Sequence, residues 1–193
     1  GNKSAGFHFA NLNNSILNFR DNVAQHNEGD WGTVLLVVTW PNNTNGGQFL
    51  VQNNTFVNNT ARWMETGTCG GGLDNTNNFG GAVAIIVHHA NVTILDCLFD
   101  TNNAPAGALY LEAAVETQMD VSGLTFRAGN YCYGALYARF ENGTILHVND
   151  SDFSDMTGSG GAAMTVIVNS SSVLDLRNVT FHNSSSQLSG GAL

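Results

Sequence analysis

Residues 119–140 read Met119-Asp120-Val121-Ser122-Gly123-Leu124-Thr125-Phe126-Arg127-Ala128-Gly129-Asn130-Tyr131-Cys132-Tyr133-Gly134-Ala135-Leu136-Tyr137-Ala138-Arg139-Phe140. Phe126 is followed eight residues on by the pair Gly134-Ala135. The same spacing joins Phe99 to Gly107-Ala108 and Phe153 to Gly161-Ala162, and Phe181 precedes Gly191-Ala192 by ten residues. Phe56 is an earlier copy, with Phe19 as a weaker first one. The last four phenylalanines, Phe99, Phe126, Phe153 and Phe181, recur at a nearly fixed interval of about 27 residues. A period of this length belongs to a stacked solenoid, in which no repeat buries its apolar face alone.

Alternation inside the repeat identifies its building block. The positions seven and five before each Phe are apolar: Phe49/Val51, Val92/Ile94, Met119/Val121, Leu146/Val148 and Leu174/Leu176. Their neighbours are mostly polar, as in Leu174-Asp175-Leu176. Period two predicts strands with one buried face. After the Gly-Ala pairs come second strands at Val83–Val87, Leu109–Leu111, Leu136–Ala138 and Met164–Val168. No segment sustains the i, i+3, i+4, i+7 pattern of a helix, and Asn, Gly, Ser and Thr cluster between strands as turn residues. These features predict an all-β parallel β-helix of about 27 residues per coil and about six coils. It forms one domain over residues 1–193, with insertions at about 40–47 and 65–79.

Coils ~4.8 Å apart turn each repeat position into a column along the solenoid. The phenylalanines then stack in the core, and the small Gly-Ala positions let the backbone turn tightly. Asn22, Asn59, Asn102 and Asn130 follow their phenylalanines by three or four residues. They read either as an internal amide ladder or as ordinary turn asparagines.

The pairing of Phe-x-x-Asn with Gly-Gly-Ala-(Ile/Leu/Val) resembles the repeat of the chlamydial polymorphic outer-membrane proteins and related surface β-helices of the pectin-lyase-like superfamily. The matching residues are Phe19-Arg20-Asp21-Asn22, Phe56-Val57-Asn58-Asn59, Phe99-Asp100-Thr101-Asn102, Gly80-Gly81-Ala82-Val83 and Gly190-Gly191-Ala192-Leu193. The resemblance covers about residues 45–193 and departs at Phe126 and Phe153, where Asn130 comes one residue late and Met156 replaces the Asn. It implies a right-handed β-helix used for surface display or adhesion, not a particular reaction.

Composition points outside the cell. Six Lys plus Arg against 15 Asp plus Glu give a net charge of −9 and a pI of about 4.8. Nucleic acid and anionic membranes, which need a basic face, are poor partners for such a chain. No apolar run long enough to cross a membrane as a helix, roughly 18 residues or more, is present. The chain lacks an initiator Met and a signal peptide and stops in mid-repeat, so it is expected to belong to a longer protein. Eleven Asn-x-Ser/Thr sequons occur, at Asn2, Asn13, Asn42, Asn53, Asn58, Asn91, Asn142, Asn149, Asn169, Asn178 and Asn183. With 26 Asn and about 15% Ser plus Thr, chance gives roughly four. Asn53 and Asn178 share the column three before Phe, and Asn58 and Asn183 the column two after it. If used, these sequons predict an N-glycosylated protein of a eukaryotic secretory pathway, at odds with a literal bacterial outer-membrane assignment; the alternative is Asn-rich turns that carry no glycan.

Of the cysteines, Cys97 lies in the column of Leu124 and Val179 and reads as a buried apolar thiol. Cys69, in the insertion, and Cys132, in a turn, are the expected disulfide of an oxidising compartment. No metal site is expected: there is no CxxC, and His88 and His89 are adjacent on a strand and point to opposite faces.

Candidate chemistry is sparse. Thr93, Asp120, His147 and Asp175 share an outward column, readable as acid/base or metal-binding groups or as charge alternation between neighbouring rungs. Tyr110 and Tyr137 align outward beside Glu112 and Arg139, a possible ligand face of aromatic shelf and ion pair for stacking a sugar ring; the alternative is an exposed Tyr ladder stabilised by cross-strand packing. The superfamily's polysaccharide lyases resemble this in placing sites on an outer strand face, but they use clustered acids that bind calcium. Trp31, Trp40 and Trp63 read as loop anchors. Neither a phosphate loop nor a Gly-x-Ser-x-Gly nucleophile signature is present. No catalytic residue and no cofactor is assigned. The leading expectation is a structural or adhesive extracellular segment that self-associates end to end or continues into a longer chain. A polysaccharide-binding or polysaccharide-degrading β-helix is the alternative.

Overall fold

The computed structural model describes residues 6–10, 14–29, 33–39, 46–61 and 81–187. Their strands form three parallel sheets stacked as a β-solenoid of about five turns with roughly 28 residues per turn. Sheet A holds Phe7–Ala10, Leu35–Val38, Val83–Val87, Leu109–Ala113, Leu136–Phe140 and Met164–Val168. Sheet B carries two adjacent strand columns. One runs from Ile16–Arg20 through Gln48–Gln52, Asn91–Leu95 and Gln118–Ser122, and the other from Val23–Gln25 through Thr55–Val57, Leu98–Asp100 and Thr125–Arg127. Both columns continue into the long strands Ile145–Ser154 and Val173–His182. Sheet C consists of two-residue strands, from Glu28–Gly29 to Ser185–Ser186.

Alternation places the apolar half of each strand in the lumen. Phe56, Phe99, Phe126, Phe153 and Phe181 form a continuous stack with centroid separations of 5.0, 4.7, 4.6 and 5.2 Å. The Gly of the Gly-Ala repeat is required by geometry. Gly107 and Gly134 have φ of 146° and 129°, and a Cβ on Gly107 would lie 2.7 Å from the Gly134 carbonyl oxygen of the next coil.

The corners flanking the Phe strands each rest on one left-handed residue. The first corner column is Asp21, Asn53, Asp96, Gly123, Asp150 and Asn178; the second is His26, Asn58, Thr101, Ala128, Asp155 and Asn183. All twelve have φ between 48° and 67°. Asn, Asp and Gly tolerate that region best, and Thr101 and Ala128 are held there by backbone bonds to Arg127 and Ser154 of the following coil. One such residue reverses the inside–outside alternation, so the next side chain re-enters the lumen.

The register corrects two expectations. Phe19 pairs with Val51, and the position opposite Phe56 is Ala24. The early rung-to-rung steps are longer than the later ones, Ile16 to Gln48 and Gln48 to Asn91, so extrapolating the Phe spacing backward lands one strand column away. The single amide ladder resolves into two. Asn22 bonds to Asn54, whose column passes next to Cys97. Asn27, Asn59 and Asn102 form the other. Asn130 belongs to neither; it pairs with Asn103 on the outside, which leaves the lumen position to Gly129.

Candidate functional site

Four of the eight described sequon asparagines emerge at the corners. Asn2, Asn13 and Asn42 lie outside the described residues. Asn53, Asn58, Asn91, Asn142, Asn169, Asn178 and Asn183 are exposed, while Asn149 is half-buried. Asn53 and Asn178 stand in the first corner column, Asn58 and Asn183 in the second. Each reaches back one coil: Asn53 Nδ2 donates to Asp21 Oδ1 at 2.7 Å, Asn178 Nδ2 to Asp150 Oδ1 at 2.7 Å and Asn183 Nδ2 to Asp155 Oδ1 at 3.2 Å. Asn58 Nδ2 lies 2.9 Å from His26 Nδ1, on a shallow depression lined also by Asn27, Glu28 and Thr60. The signal for these corners was present in the sequence as Asn, Asp or Gly three before each lumen Phe, and as Asn or Asp two after Phe56, Phe153 and Phe181.

The outward column of sheet B is assembled in the expected order: Thr93 opposite Asp120, Asp120 opposite His147, His147 opposite Asp175. His147 Nδ1 approaches Asp120 Oδ1 at 3.3 Å, while Asp175 pairs with Arg177 at 2.7 Å on its own strand. Imidazole–carboxylate contacts between successive coils recur at His89–Glu116 and His182–Asp152. Among the described residues, no three His, Cys, Asp or Glu side chains converge in a group able to hold a metal ion.

On sheet A, Tyr110 pairs with Tyr137 and Glu112 with Arg139, and the two rings stack at 5.3 Å. The expected open shelf is nevertheless absent. Tyr110 is 6% exposed and Tyr137 4%, packed with Leu36, Ala84 and Ala106 in a second apolar cluster outside the lumen. Tyr110 donates its hydroxyl to Glu112 Oε2 at 2.5 Å. Burial first, then the neighbouring Glu112 charge, pushes the Tyr110 phenol far above its ordinary value. Arg139 makes its ion pair with Glu141 at 3.1 Å, a partner that strand pairing alone did not suggest. Direction was legible from alternation; cover was not.

Cys97 is a free, buried thiol that burial pushes up to about 11. Cys132 is disulfide-bonded. Cys69, its expected partner, lies outside the described residues, as do Trp31, Trp40 and Trp63.

Fold and site together define a parallel β-solenoid with sequon-bearing corners and a second apolar layer over one sheet. No protein-family model, curated protein or solved structure matches the chain.

Proposed function

We propose that this chain is a structural or adhesive segment of an extracellular, cell-surface glycoprotein, a right-handed β-helix that passes through a secretory pathway and extends by stacking further coils. The observation that carries this reading is the placement of the sequons. Seven of the eight described sequon asparagines are exposed, and four occupy two shared corner columns where a glycan meets open solvent. The disulfide at Cys132 fits an oxidising compartment. The likeness of the Phe-x-x-Asn and Gly-Gly-Ala repeat to surface-displayed β-helices adds support. Stack extension, within a longer parent chain or against a second copy, is supported by the apolar side chains exposed on the outermost described coils: Phe7, Ile16 and Val23 on one, Val168 and Val173 on the other. The aromatic pair that a polysaccharide-binding reading would use is buried.

The test is secretion from a eukaryotic host, followed by intact-mass analysis before and after enzymatic removal of N-glycans. The expected result is a stepwise mass loss, with Asn53, Asn58, Asn178 and Asn183 among the residues converted to Asp. An unchanged mass overturns the glycoprotein reading. Electron microscopy of the full parent chain addresses extension separately: elongated particles support it, and compact particles no longer than the described coils overturn it.

A further inference from the structure

One corner joins a sequon to a concavity. The depression beside Asn58 has a volume of about 240 Å³ and is lined by His26, Asn27 and Glu28 of one coil and by Asn58 and Thr60 of the next. Asn58-Asn59-Thr60 is a single sequon, so its attachment residue and its hydroxyl residue border the same hollow. Asn59 between them turns into the lumen and belongs to the ladder. Strand register fixes the walls. Glu28 pairs with Thr60, and the Thr60 N–H donates to the Asn27 carbonyl at 2.8 Å. His26 and Asn58 both hold the left-handed corner conformation, with φ of 58° and 51°.

We propose that this depression seats the first sugar of an N-linked glycan on Asn58, an N-acetylhexosamine, a seat that rests on the glycoprotein reading and gives that sugar a place. The attachment atom supplies the first argument. A glycosylated Asn keeps one hydrogen on Nδ2, and His26 Nδ1 stands 2.9 Å from that nitrogen to accept it. Accepting there puts the imidazole proton on Nε2, which becomes a donor. At Asn53, Asn178 and Asn183 the amide meets an Asp carboxylate of the preceding coil instead. The lining supplies the second argument. Imidazole, carboxylate, amide and hydroxyl offer both donors and acceptors, which the hydroxyls and acetamido group of such a sugar match. Size supplies the third. The hollow is smaller than the ~300–1,000 Å³ of pockets that enclose a whole drug-sized ligand, so it takes one ring and leaves the rest of the glycan in solvent. A shallow polar hollow holds free sugar poorly, but a short flexible tether gives an effective concentration in the ~mM range.

The test uses the full chain secreted from a eukaryotic host, as parent and as His26→Asp, which gives this corner the carboxylate that Asp155 gives Asn183. A peptide N-glycosidase, which cuts between Asn and the first sugar, is applied to native and to denatured chain in heavy-oxygen water. Peptide mapping then reads the rate of Asn-to-Asp conversion at each site. The expected result is release from Asn58 several-fold slower than from Asn178 and Asn183 in the native parent, with the difference gone after denaturation. In native His26→Asp the Asn58 rate rises to that of Asn183. Should the variant fail to fold, the native-to-denatured comparison in the parent decides alone. Equal native rates at the corners overturn the seat, and so does slow release from Asn58 that a folded His26→Asp leaves unchanged. Asn58 bare while Asn178 and Asn183 carry glycans overturns the seat and leaves the glycoprotein reading standing; a chain without any glycan overturns both.

Discussion

Asn59→Ala is the sharpest perturbation of the ladder that locks the coils together. The Asn59 side chain is fully buried and makes four hydrogen bonds. Its Oδ1 accepts from the Asn27 backbone N–H at 3.2 Å and from Asn27 Nδ2 at 2.8 Å. Its Nδ2 donates to the Ala24 carbonyl at 3.1 Å and to Asn102 Oδ1 at 3.0 Å. At a net ~1 kcal/mol each, the four are worth about 4 kcal/mol. Asn27 is half-buried and recovers part of its loss from water, so the expected cost is about 3 kcal/mol. Asn59→Asp supplies a signed control. It keeps the acceptor but turns the donor into a second oxygen facing two acceptors, in a site that disfavours charge. The carboxyl therefore titrates above its unfolded value of ~3.9 in the folded chain. Its penalty is small below that value, where the protonated acid donates, and grows as pH rises through the folded pKa. The assay is equilibrium urea denaturation with linear extrapolation, at pH 7 for both variants and down to pH 3.5 for Asn59→Asp, each against the parent. A loss under ~1 kcal/mol for Asn59→Ala, or an Asn59→Asp penalty indifferent to pH, refutes the ladder as a source of stability.

Phe126→Ala, which removes a buried ring stacked on both sides, is expected to cost about 4 kcal/mol, and Phe181→Ala, half-buried with a single stacked neighbour, about half as much; equal losses by denaturation would contradict the stacked column. Gly107→Ala is expected to lose about 2 kcal/mol or more, because φ of 146° and the next coil's carbonyl both oppose a Cβ; a neutral result in the same denaturation assay counts against the corner geometry. Burial, against the opposing pull of Glu112, lowers the His88 pKa, so the unfolded chain takes up that proton first as pH falls below 6.5. Stability should therefore decline between pH 7 and 5.5 more steeply in the parent than in His88→Gln, as read by unfolding midpoints, and identical slopes would refute it. Cys97 should resist iodoacetamide at pH 8 in the native chain and react after unfolding, since its thiol lies at about 11; native labelling at full stoichiometry would place it outside the core.

What the sequence disclosed, and what it withheld, divides by locality. From Phe99 onward the step is nearly constant, through Phe126 and Phe153 to Phe181, so register, lumen column and strand pairing follow from counting. Upstream, the longer steps from Ile16 to Gln48 and from Gln48 to Asn91 break the count, and Phe19 was drawn toward a column that belongs to Ala24. The ladders suffered similarly: Asn54 belongs to one and Asn27 to the other, but neither sits three after a phenylalanine. Tyr110 and Tyr137 show another limit. Alternation reports which side of a strand a residue takes, whereas burial on that side depends on what packs over it, here Ala106 and Tyr133 among the described residues.

The corner columns have a mechanical consequence. Hydrogen bonds between coils run parallel to the solenoid axis, so a pull on the two ends loads them one coil at a time instead of shearing a whole sheet. Under tension the outermost coil should peel first, each release freeing roughly 28 residues, or ~90 Å of extended chain. A solenoid of this design yields in even increments and stays intact below the peeling front.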